Sequence, residues 1–168
     1  MLTLRVNDAA ADSLALLSAP PGGLAPGLRE LAGAGIVQCG EVVVLAKDAA
    51  KAAGAPGIFA DLSYWEGQVS SFHPDDVAPV TVSTSDDHEP VISEDDQRLM
   101  LAHGLAFAYE VARLGRAAEP PLPLRCIVGA NTTNGTFRFH RVRVGQDRLV
   151  SDLDSDEHDK LIVVETLP

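Results

Sequence analysis

Basic residues are scarce in this chain, and where they are missing matters more than their number. Its 168 residues carry 13 Lys and Arg against 24 Asp and Glu, a formal net charge of −11. Between residues 61 and 96 stand ten acidic residues and no Lys or Arg at all. Such a surface repels polyanions, and nucleic-acid binding needs a basic footprint, so that class of function is disfavoured. Cysteine is nearly absent: Cys39 and Cys126 are the two, each set among apolar residues. Two buried, reduced thiols are expected, and nothing resembles the disulfide framework of a secreted scaffold. No apolar run approaches the ~20 residues of a membrane span. The N-terminus lacks a basic stretch followed by an apolar one, so no signal peptide is expected and the expected compartment is the cytoplasm. The two Asn-x-Thr triplets at Asn131 and Asn134 then carry no glycosylation meaning.

Catalytic signatures are missing as well. There is no GxSxG, P-loop, GxGxxG or CxxC pattern. The spacing of Asp152, Asp154 and Asp156 suggests a calcium loop, but an EF-hand needs glycine where Glu157 stands and an acid where Val163 stands. That stretch reads as an acidic loop. Three clusters mix histidine with acids: residues 73–76, 86–89 and 156–159. Neighbouring side chains cannot all point at one ion, so neither a metal nor a cofactor is expected.

What the chain does contain fits one domain over residues 1–168, with a small helical subregion over 1–56. Apolar residues make up 46% and charged residues 22%, enough for a core without covalent staples. Arginine outnumbers lysine ten to three, as in high-GC bacterial genomes. Charge is strongly segregated. Residues 97–149 carry eight basic and three acidic groups, and residues 150–168 carry one Lys and six acids.

The pattern predicts short helices over 7–19 and 26–35, a buried strand or hairpin over 36–46 with Gly40 at its turn, and a helical segment over 47–54. Residues 57–72 alternate loosely and hold Trp65, and 79–85 reads as a strand. Residues 93–115 form the best helix. Ser93 is its N-cap, Glu94, Asp95 and Asp96 suit the positive end of the helix dipole, and Gly115 is placed just past its end. Asp96, His103 and Glu110 recur every seven residues as one polar stripe, expected to face solvent or a sheet edge. Strands follow at 125–131, 136–144 and 160–167, the last apolar enough to be central. The expected fold class is α+β: an antiparallel sheet, made of the C-terminal hairpin and the last strand, packed on the long core helix at 93–115.

The stretch "NTTNGTFRFHRVRV" (131–144) carries the densest signals. Asn134-Gly135 predicts a two-residue hairpin turn with positive φ at both positions. Phe137 and Phe139 share one strand face and read as core. Val142 and Val144 have the opposite parity, which predicts a β-bulge near His140 and Arg141. The arginines there either hold an anion or pair with the chain's own acids, and internal pairing is the stronger expectation.

Two functions compete. The first is a non-catalytic acidic binding protein that neutralises or scaffolds a basic protein partner, in the manner of immunity proteins. Its interface would hold Asp75, Asp76, Asp86, Asp87 and Glu89, with Tyr64 and Trp65 as aromatic anchors. The second is an enzyme or small-ligand binder whose site gathers His103, Arg138, His140 and Arg141 between the 125–144 hairpin and the 93–115 helix. A homodimer, with acidic 61–96 docked on basic 138–148 of a second copy, is a lesser alternative.

Overall fold

The computed structural model describes residues 1–57, 60–146, 153–155 and 159–167. The chain runs through β1 (Leu2–Val6), α1 (Asp8–Ala15) and α2 (Pro26–Ala34) to a hairpin of β2 (Ile36–Cys39) and β3 (Val42–Leu45). A 3₁₀ segment (Ala46–Gly54), α3 (Leu62–Val69) and a 3₁₀ turn (Pro74–Asp76) lead to a second hairpin, β4 (Val82–Thr84) and β5 (Pro90–Ile92). Then come α4 (Glu94–Ala117), β6 (Leu124–Ala130), β7 (Gly135–Arg141), a 3₁₀ turn (Leu153–Ser155) and β8 (Lys160–Thr166).

The fold is α+β. Its main sheet has the order β1-β8-β6-β7, antiparallel throughout, and α4 lies across one face. Ser93 starts α4 by accepting from the Asp96 N–H at 3.1 Å, which satisfies one of the donors a helix leaves open at its first turn. On β6 the residues at alternate positions face the helix. Val128 meets Gly104 and Leu124 meets Gly115 so closely that a Cβ on either glycine would lie 2.3 Å or 2.6 Å from the strand's side chain. These two glycines let helix and sheet approach. Phe107 of α4 and Phe137 of β7 meet edge to face at 4.9 Å, and Phe72 stacks on Phe137 at 5.0 Å. Lys160 reaches from β8 to Glu94 at 2.9 Å and to Gln97, tying the helix start to the sheet.

A smaller apolar cluster joins Val42, Val44, Ala52 and Leu62, with Trp65 and Val69 of α3 packed against it. Glu66 fastens this layer to the main sheet. Its carboxylate is fully buried, accepts the N–H groups of Val43 (2.7 Å) and Arg141 (2.8 Å), and takes a two-pronged bond from the Arg143 guanidinium, 2.7 Å to each oxygen. One side chain thus links α3, β3 and the end of β7.

Several elements differ from the sequence expectation. Residues 2–6 form a strand, and the first helix is shorter than 7–19. Asn7 caps α1 and also takes the Leu161 N–H at 2.9 Å, so it ties the helix start to β8. Residues 62–69 are helical despite their loose alternation, because Asp61 caps the Tyr64 N–H at 2.8 Å. Helix α4 continues through Gly115 to Ala117. The β6–β7 connection is not a two-residue turn with positive φ. Neither Asn134 nor Gly135 has a positive φ, and the loop is organised by the Asn131 side-chain oxygen, which accepts the N–H groups of Thr133 and Asn134 at 2.7 and 2.8 Å. Glycine is needed at 135 for close approach: a Cβ there would lie 2.8 Å from the Met100 sulfur. No bulge interrupts β7, which pairs one to one with β6 from Gly135 to Arg141. The parity changes because the strand ends there, and Val144 is fully exposed beyond it. Cys126 is buried as expected, but Cys39 is exposed at the end of β2.

Candidate functional site

The acids of residues 61–96 separate into two groups by what they bond. Asp61 caps α3, Glu66 is the buried tie, and Asp75 accepts the Gly135 N–H at 2.8 Å beside His73, whose Nδ1 donates to the Gly135 carbonyl at 2.8 Å. Phe72 forms a two-way backbone bridge with Phe137. The 73–76 cluster thus lashes this segment to the outer edge of β7. Glu94 and Asp95 pair with Lys160 and Arg98.

Asp76, Asp86, Asp87 and Glu89 are exposed, and among the described residues none of them has an ion-pair partner. The last three sit in the turn of the β4–β5 hairpin, where His88 adopts a positive φ of 65°. This hairpin is a two-stranded sheet of its own, and residues 81–84 and 86–91 are exposed along its length. It is anchored at its base, where Ile92 is buried and its N–H donates to the Thr132 carbonyl at 2.7 Å. Tyr64 and Trp65 lie elsewhere, on α3. Tyr64 is exposed, while Trp65 is half-buried against the small apolar cluster.

The residues of the alternative site are not brought together. Arg138 and His140 pair with Ile127 and Arg125 on the sheet face turned away from α4. His103 belongs to α4, so the sheet lies between the two histidines. The space between the hairpin and α4 is filled by Phe107, Cys126, Val128, Phe137 and Phe139, each at 0% exposure. Arg141 acts through its backbone: its N–H binds Glu66 and its carbonyl accepts from Ser63 Oγ at 2.9 Å. Internal pairing also claims Arg125, bonded to Glu165 at 2.7 Å, and Arg143, bonded to Glu66. Arg148, Asp152 and Asp156–His158 lie outside the described residues. Among the described residues no three metal-ligating side chains converge.

Both sheltered histidines are held neutral. Burial lowers the pKa of His103. Burial does the same for His140; its Nδ1–H donates to the Arg141 carbonyl at 2.9 Å, which opposes the shift, and the nearby Arg125 charge adds to it. An unfolded histidine titrates near 6.5. Between that value and the depressed folded value the unfolded chain binds more protons, so stability is full above about pH 6.5 and falls as pH falls below it. The urea midpoint is therefore expected to drop from pH 7 to pH 5, and His140→Phe to flatten that drop. The Arg141 carbonyl keeps the Ser63 hydroxyl in that variant. An equal slope in both proteins would refute the assignment.

Sequence reasoning missed one feature. His103, expected on a polar stripe facing solvent or a sheet edge and named for the alternative site with the hairpin, is instead 2% exposed and lines a cavity of about 390 Å³ at the start of α2, together with Gly22, Gly23, Ala25, Arg29 and Asp76. The signal available was the run "PPGGLAPG" (20–27), a loop rich in glycine that ends on a helix with Pro26 at its first position. No protein-family model matches the chain, and no curated protein or solved structure matches it significantly.

Proposed function

We propose that the protein is a non-catalytic binding module that docks a basic protein partner, in the manner of immunity and inhibitor proteins. The supporting observation is the gathering of acids on one hairpin: Asp86, Asp87 and Glu89 are all exposed there, and among the described residues none of them has an ion-pair partner. Acids without cations of their own raise the local negative potential. They steer a basic surface toward the arm and fix its orientation there. Val82 and Val91, both exposed on the arm, supply apolar contact beside the charges.

The test uses the full chain and the triple variant Asp86→Asn, Asp87→Asn, Glu89→Gln. All three residues are exposed, so the variant should keep its stability to within about 0.5 kcal/mol. Captured on beads at low salt in a lysate of the native host, the wild type is expected to retain one basic protein that elutes as salt is raised. The triple variant is expected to retain far less of it. Equal recovery by the two proteins, or no salt dependence, would sink the reading.

A further inference from the structure

We propose that the cavity at the start of α2 is a binding site for a small zwitterion of the amino-acid type, with its carboxylate held by His103 and Arg29 and its ammonium by Asp76. This site is independent of the acidic arm and does not rest on the docking function.

The argument starts from His103. Its ring is 2% exposed, and Nδ1 accepts the Ala25 N–H at 3.3 Å. That bond fixes the ring proton on Nε2. The Nε2–H has no protein partner among the described residues, and the ring lines the cavity. A donor at a cavity wall without a protein partner is open to an acceptor from a ligand in place of water. The second donor group is Arg29, at the rim of the same cavity. Its guanidinium donates to the Leu24 carbonyl at 2.9 Å and has no acidic partner among the described residues. Two donor groups, one on α2 and one on α4, thus line one cavity.

Asp76 decides between a plain anion and a zwitterion. Its exposed carboxylate lines the same cavity and has no ion-pair partner among the described residues. It would repel a simple carboxylate or phosphate and would attract an ammonium group. Leu24, Val77, Ala78 and Pro79 complete the lining with apolar surface suited to a short side chain. A cavity of about 390 Å³ has room for a molecule of that size. The loop that closes it contains Gly22 and Gly23, at φ 75° and 81°, a conformation other residues rarely adopt.

The test is calorimetric titration of the intact protein with the standard amino acids. The matching amines, the matching α-hydroxy acids and inorganic phosphate serve as controls. At least one amino acid should bind saturably, and its amine and hydroxy acid should bind at least about tenfold more weakly, since each lacks one charge-assisted contact. Asp76→Asn and Arg29→Gln, both at exposed positions, should each weaken binding by about the same factor, while Asp86→Asn should leave it unchanged. His103→Gln changes a buried residue, so the ring is read directly as well: the His103 Nε2 resonance should shift on addition of the amino acid. Saturable binding of phosphate or the hydroxy acid at equal affinity would overturn the proposal. So would a complete absence of binding, or binding that Asp76→Asn and Arg29→Gln leave intact.

Discussion

Replacing Glu66 by alanine is expected to remove about 3–5 kcal/mol of stability, because it takes away the counter-charge of the largely sheltered Arg143 guanidinium and the acceptor of two backbone donors at once. For a chain of this size that lowers the melting temperature by about 10 °C or more. The cost is not the worth of the ion pair. It is the penalty of leaving two sheltered N–H groups without an acceptor and the Arg143 guanidinium without its counter-charge. Glu66→Gln keeps one acceptor oxygen and should lose less. Removing both charges, as Glu66→Gln with Arg143→Met, should recover part of the loss, so the pair is not additive. Urea denaturation with an unchanged m-value measures this directly. A loss below about 1 kcal/mol in Glu66→Ala would mean that α3 and β3 do not depend on this tie.

Phe137→Ala is expected to cost a similar amount, about 3–5 kcal/mol. The ring is fully buried between Phe72 and Phe107, so truncation loses its transfer free energy and opens a cavity among rigid neighbours. The edge-to-face contact with Phe107 is lost as well, worth about 0.5–1.5 kcal/mol beyond area. Phe72 is only half-buried, so Phe72→Ala should cost clearly less. Thermal unfolding of the two variants side by side checks the ranking. If Phe72→Ala proves the more damaging, the bridge to residue 72, and not the core aromatic, organises this edge.

The long helix and the three C-terminal strands were legible because each carries its own signal: a capped apolar helix, β-branched runs, a hairpin. What failed was information that lies between elements. Residues 2–6 are too few to show a period, and they are a strand only because β8 pairs with them. The slip of alternation at His140 was real in the sequence, but a strand end produces it as well as a bulge does. His103 looked like one member of a polar stripe. Its burial is decided by α2 and its preceding loop, more than 70 residues away in sequence. Of the partner-binding set, the exposure of Asp86, Asp87 and Glu89 was readable from the turn signals around them. That Asp75 is consumed by Gly135 was not, because sequence cannot say which loop lies beside which strand.

β8 stands between β1 and β6, and this has a consequence for biosynthesis. β1 leaves the ribosome well before its partners, residues 162–166. Until they emerge β1 has no strand to pair with, and β6 has β7 on one side only. The sheet cannot close until residues 160–166 clear the exit tunnel. Closure then joins contacts of very large sequence separation, a slow kind of step. Until that moment the nascent chain displays two open strand edges, each able to template pairing with another chain. A ribosome that stalls or terminates before residue 160 therefore releases an aggregation-prone product that lacks the strand needed to close its sheet.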